Sequence, residues 1–166
     1  MALKKEQKIE IVDKLSKALS KAASVVFVNF KGLNVADATA LRRNLRSMDI
    51  GYTVSKKSLL KRALSSKKFE GEIPSLEGEI AVAYPSKDGV EDLAPAREIY
   101  NFHKDHKDSI RIAGGVFGGK YIDANAMLAL ATIPGREILI GQFVNLINSP
   151  IQRFAIVLNA IAGKKQ

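Results

Sequence analysis

Ile140-Gly141-Gln142-Phe143-Val144-Asn145-Leu146-Ile147-Asn148-Ser149-Pro150 runs directly into Ile151-Gln152-Arg153-Phe154-Ala155-Ile156-Val157-Leu158-Asn159-Ala160-Ile161, and the second half repeats the first. Ile, Phe and Asn recur at equivalent positions. Eleven residues are about three helical turns, so the second copy returns to almost the same face roughly 16 Å further along the axis. At about 100° per residue, Ile140, Phe143, Val144, Ile147, Ile151, Phe154, Leu158 and Ile161 fall in one stripe, widened on one flank by Leu139, Leu146 and Val157. A helix from Arg136 to Gly163 would run about 40 Å, longer than a domain of this size is wide, so it is expected to protrude and to bind another chain. A terminal helix folded back on its own domain is the plainer alternative. Pro150 removes a backbone donor at the junction of the two copies and predicts a kink or break there. Between Glu137 and Arg153 lie fifteen residues, Gln142, Asn145, Asn148, Pro150 and Gln152 among them. A bilayer requires about 20 apolar residues, so no membrane partner is expected.

Working outward, the 166 residues allow one core plus an appendage, with a domain at 1–132 and the tail at 133–166. The absence of cysteine rules out disulfides and thiolate–metal sites. Met1-Ala2-Leu3-Lys4-Lys5-Glu6 opens a mixed-charge helical pattern instead of an apolar leader, so a cytoplasmic protein is expected. Charge is strongly segregated. Residues 1–68 hold 16 Lys or Arg against 5 Asp or Glu, and residues 69–166 hold 10 against 12, so the excess of +9 is wholly N-terminal. A polyanion is the matching partner, because each phosphate neutralised releases condensed counterions.

Periodicity predicts a first helix over Lys4–Ala22, with Ile9, Val12, Leu15 and Leu19 inward and Lys4, Lys8, Lys14, Lys17 and Lys21 mostly outward. Ser24–Phe30 reads as a buried strand, and Asn34 as the side-chain cap of a helix over Val35–Met48. A strand at Tyr52–Val54, a short helix at Leu59–Leu64 and a strand at Ile80–Tyr84 follow. A helix over Val90–His106 carries Pro95 in its first turns. Ile110–Ala113 and Val116–Ile122 read as strands with bends or bulges at the glycine pairs, and Asp123 as the cap of a helix ending near Thr132. Interleaved strands and helices indicate an α/β fold, a mixed sheet covered by helices, with the long protruding C-terminal helix added.

Catalytic signals are weak. His103 and His106 lie near Asp105 and Asp108, but without cysteine or a clustered third ligand no metal site is expected. Gly114-Gly115-Val116-Phe117-Gly118-Gly119 has the wrong spacing for a dinucleotide turn, and neither a P-loop nor a nucleophile elbow occurs. An enzyme is not expected, nor a cofactor. The stronger constellation is cationic: Lys31 in a turn, Arg42, Arg43 and Arg46 on the second helix, and Lys56, Lys57, Ser58, Lys61 and Arg62 at the start of a short helix whose free amides also favour phosphate. Arg42 and Arg46 share a face, whereas Arg43 lies about 100° away. Phe30 and Tyr52 read as core, so recognition of a folded RNA's shape and backbone is expected over single-strand reading.

The chain resembles the large-subunit ribosomal stalk-base family, ribosomal protein ten of the large subunit in bacterial usage. The likeness rests on Lys31-Gly32-Leu33-Asn34-Val35, Thr39-Ala40-Leu41-Arg42, Val54-Ser55-Lys56-Lys57-Ser58-Leu59-Leu60-Lys61-Arg62-Ala63, the strand Gly78 to Tyr84, and Leu130-Ala131-Thr132-Ile133-Pro134 before a long helix. Two positions depart from the pattern: Lys57 stands where the family usually has Asn, and Glu79 where it often has Pro. The resemblance implies a ribosomal location, an N-terminal domain on large-subunit ribosomal RNA beside ribosomal protein eleven, and a C-terminal helix holding dimers of the acidic stalk protein. Those dimers recruit GTP-hydrolysing translation factors, so contact with the factors is indirect. Two copies of the repeat predict two dimers. An assembly factor that binds RNA without stalk partners is the alternative, and a small enzyme at the Ser55–Arg62 corner a more distant one.

Overall fold

The computed structural model describes residues 5–65, 69–74, 76, 78–87, 89–106 and 109–164. Two compact units emerge, Met1–Ile133 and Pro134–Gln166. The first is built on a five-stranded sheet in the order β2-β3-β1-β4-β5: β1 (Ser24–Phe30), β2 (Ile50–Val54), β3 (Ile80–Pro85), β4 (Ile110–Phe117) and β5 (Lys120–Asp123). The expected α/β class is borne out, and every strand pairing within the sheet is antiparallel.

Side chains alternate across the sheet, as a period of two requires. Val26, Val28, Ala81 and Ala83 enter one core with Leu41 and Leu45 of α2 (Val35–Ser47), Ala96 and Ile99 of α4 (Ala94–Asp105), and Met127 and Ala131 of α5 (Ala124–Ala131). Val25, Phe27, Ile80 and Val82 enter the opposite core with Leu15 and Leu19 of α1 (Lys5–Lys21) and Leu60, Ala63 and Leu64 of α3 (Lys57–Ser65). Val12 packs against this second core as expected, joined by Ile11. The side chains of Ile9, Lys8, Lys14, Lys17 and Lys21, and all of Lys4 and Asp108, lie outside the described residues.

The β4 strand changes face partway. Val28 pairs with Ile112 but Phe27 with Gly114, so Ala113 is an extra residue. Such a bulge reverses the alternation: Ile110 and Ile112 serve the first core and Val116 the second. The segment Val116–Ile122, expected as one strand, is instead a hairpin. Gly118 and Gly119 both take positive φ (58° and 82°), the combination that a two-residue turn between right-twisted strands demands.

Other boundaries differ from the sequence reading for local reasons. The α4 helix starts at Ala94, not Val90, which keeps Pro95 at the first helical positions where its missing N–H costs nothing. Neither Asn34 nor Asp123 makes a side-chain cap hydrogen bond. At Asn34 the backbone carbonyl does the work, accepting from Ala38 N–H at 2.9 Å. Arg97 on α4 donates from Nε to the Ile133 carbonyl at 3.0 Å and pairs with Glu91 at 3.0 Å, fixing the last residue of this unit.

The second unit contains a single helix, α6 (Arg136–Lys164), of 29 residues. It runs unbroken through Pro150, so of the expected kink or break the break does not occur. A proline removes only its own donor and disturbs one carbonyl a turn earlier, and the bonds on either side carry the helix across.

Candidate nucleic-acid interface and apolar helix

Burial of Leu41 and Leu45 turns Arg42, Arg43 and Arg46 of α2 outward, and all three are exposed. Burial of Leu59, Leu60, Ala63 and Leu64 does the same for α3, leaving Ser58, Lys61 and Arg62 exposed and Lys57 half-exposed, with Lys56 exposed just before them. Lys56 starts that helix by its carbonyl, which accepts from Leu59 and Leu60 N–H, each at 3.0 Å. Lys31 is exposed in the turn after β1, where its N–H donates to the Ser109 carbonyl at 2.9 Å.

These cations do not form one patch. The α2 helix covers one face of the sheet and α3 the other, so the two clusters are separated by the strands and share only the neighbourhood of β2, which connects them in the chain. Arg42 and Arg46 are brought together at a groove of about 330 Å³ that Arg43 does not line. Tyr52 stands in the same groove; burial pushes its phenol up to about 12, against the opposing pull of the Arg42 guanidinium. Lys56 and Lys57 line a separate groove of about 530 Å³ with Phe30, Val54 and Glu79. Ser55 also lines it, and the Ser55 Oγ is buried without a hydrogen-bond partner.

Tyr84 and Asp49 were not singled out by the sequence reading, and Tyr52, read as core, packs half-buried against the first core while also lining the Arg42–Arg46 groove. Tyr84 reaches the Arg42–Arg46 groove because it pairs with Gly51 across β2 and β3. A Cβ on Gly51 would lie 2.6 Å from its ring. The Gly51–Tyr84 pairing joins distant segments, and no local pattern announces it.

His103 and His106 are engaged structurally. His103 Nδ1 contacts the Ile110 carbonyl, and His106 stacks on Phe102 at 4.3 Å while its Nε2 lies 3.7 Å from Asp37. Among the described residues no group of three or more His, Cys, Asp or Glu could hold a metal.

The α6 helix, taken by itself, has nothing within its unit to cover its apolar side. Phe143 is 63% exposed and Phe154 66%, and Ile140, Val144, Ile147, Ile151, Leu158 and Ile161 are all at least half exposed. No single helix among the described residues is long and apolar enough to cross a membrane.

Residues 3–104 match the family described as Ribosomal protein L10, and residues 133–166 match the Ribosomal protein uL10 C-terminal region. The chain belongs to the ribosomal protein uL10 family. Relatives named large ribosomal subunit protein uL10 align over almost all of it. The protein from Delftia acidovorans is 34% identical over 99% of this chain and 91% of its own length, and that from Paracidovorax citrulli 34% over 99% and 95%. The Clostridium acetobutylicum protein is 37% identical over 98% and 92%. Membership in the uL10 family makes this a structural protein of the large subunit, acting in translation on the cytoplasmic ribosome, and not an enzyme.

Proposed function

We propose that the chain is an adaptor with two binding surfaces. The basic domain, 1–132, binds large-subunit ribosomal RNA through Lys31, Arg42, Arg43, Arg46, Lys56, Lys57, Ser58, Lys61 and Arg62, beside ribosomal protein eleven. The tail, 133–166, anchors two dimers of the acidic stalk protein on the stripe Ile140, Phe143, Val144, Ile147, Ile151, Phe154, Leu158 and Ile161. The observation that carries this reading is the uncovered stripe itself. An amphipathic helix normally buries its apolar side against a partner, and contiguous exposed apolar surface of this size marks a protein interface. The eleven-residue repeat divides the stripe into two equivalent segments, which supports two partners of one kind. Fixing the base on RNA while gathering mobile dimers on one rod raises the local concentration of whatever the dimers capture, so translation factors are reached indirectly.

The test is co-expression of the full chain, and of a truncation ending at Thr132, with the acidic stalk protein of the same genome, followed by complex mass. Two dimers on the full chain and none on the truncation are expected. A full chain that carries none refutes the anchor.

A further inference from the structure

The two edges of the sheet are finished differently. At β5 the segment around Glu70 covers the start of the edge: Glu70 forms a parallel bridge with Lys120, donates its N–H to the Gly119 carbonyl at 3.1 Å and accepts from Tyr121 N–H at 2.9 Å. At the opposite edge no strand lies beyond β2 among the described residues. An edge strand leaves a row of backbone donors and acceptors without ladder partners. The groove of about 330 Å³ lies along this edge, and its lining is chemically divided. Arg42 and Arg46 come from α2, the Tyr52 ring from β2 on the same face of the sheet, the Tyr84 ring from β3 on the opposite face, and Asp49 from the turn between α2 and β2.

We propose that this groove holds a single unstacked nucleotide of the RNA, its phosphate against Arg42 and Arg46 and its base against Tyr52 and the free edge of β2. The proposal rests on the RNA-binding reading and adds the place where a base is read. Guanidinium groups match a phosphate's geometry and hold it by charge-assisted hydrogen bonds. Aromatic faces accept any base by stacking, and unpaired main-chain N–H and C=O groups can meet a base edge as they would meet another strand. Asp49 interrupts the cationic wall, and the carboxylate oxygen not engaged by Lys87 can accept a hydrogen bond from a base's amino group.

The Asp49 turn is held in place before any ligand arrives. Asp49 is the one non-glycine at positive φ among the described residues (56°). Its carbonyl accepts from Ser86 N–H at 2.8 Å, its N–H donates to the Arg46 carbonyl at 3.2 Å, and Lys87 holds its carboxylate at 2.7 Å. A peptide strand added to β2 is the competing occupant. The β2 strand has five residues, and its flank offers cations and phenols in place of the apolar pockets that select alternate side chains of an added strand, so a nucleotide fits the lining better.

The test uses the full chain, a transcribed large-subunit RNA fragment covering the stalk base, and ultraviolet crosslinking read by mass spectrometry. A nucleotide adduct on Tyr52 is expected, with roughly tenfold or greater loss of affinity in the Arg42→Gln/Arg46→Gln variant. Should that variant fail to fold, the adduct on the unaltered chain decides. RNA binding with adducts only outside the groove overturns the proposal and leaves the RNA-binding reading standing. No RNA binding by the unaltered chain overturns both. Protection of the β2 amides from hydrogen exchange by a partner protein, and not by RNA, gives the edge to a peptide strand and overturns the nucleotide.

Discussion

Gly115 leaves no room for a side chain beneath Met127: a Cβ there would lie 2.3 Å from Met127 Cε and 2.3 Å from the Val25 carbonyl oxygen. The methionine can turn aside, but the carbonyl belongs to the central strand of the sheet. Gly115→Ala is therefore expected to lower the unfolding free energy by about 2 kcal/mol, the usual cost of overpacking a core. Gly141 in α6 meets nothing within 4 Å, and Gly141→Ala should instead favour the helix by up to about 1 kcal/mol. Urea titration of both variants checks the contrast, and equal effects would refute the tight contact.

Docking on α6 should be separable by copy. Phe143 and Phe154 occupy the same place in the two repeats, so Phe143→Asp or Phe154→Asp should each release one stalk dimer and keep the other. Native mass spectrometry reads the loss directly. A single change that releases both dimers, or neither, contradicts independent sites.

Charge reversal at Lys56, Lys57 and Arg62 should weaken RNA binding and flatten its salt dependence. Each lost phosphate contact removes about 0.7–0.9 from the slope of log affinity against log salt. An unchanged slope in filter binding across a salt series would move the RNA site away from this corner.

Two of the four tyrosines, Tyr52 and Tyr121, should titrate above the usual range, because burial raises both. The folded Tyr52 phenol loses its proton near 12 instead of 10, so burial contributes stability that is fully present below pH 10 and lost as pH rises through 12. Phenolate absorbance followed with pH should show an ionisation near 12 that disappears in Tyr52→Phe, while the raised ionisation of Tyr121 remains. Its persistence in that variant would assign it to another tyrosine.

The elements with strong period were legible from sequence. Leu15 and Leu19 placed α1, the β-branched run before Asn29 placed β1, and the repeat around Phe143 and Phe154 placed α6. The turn from one core to the other at Ala113 was not, because the glycine pair beside it fits a bend, a bulge or a hairpin equally well, and only pairing with Phe27 and Val28 distinguishes them. For the cationic residues, helical spacing correctly set Arg43 apart from Arg42 and Arg46. It could not show that α2 and α3 cover opposite faces, nor that Tyr84 meets Gly51, since both depend on strand order across distant segments.

The unequal edges of the sheet also set a valence. A strand-by-strand polymer needs two open edges per copy, one to receive and one to offer. With Glu70 bonded across the start of β5, β2 is the edge left uncovered along its length among the described residues, so two copies that met there would pair and stop. The fold thus obstructs strand addition where β5 begins and leaves the β2 edge open to it.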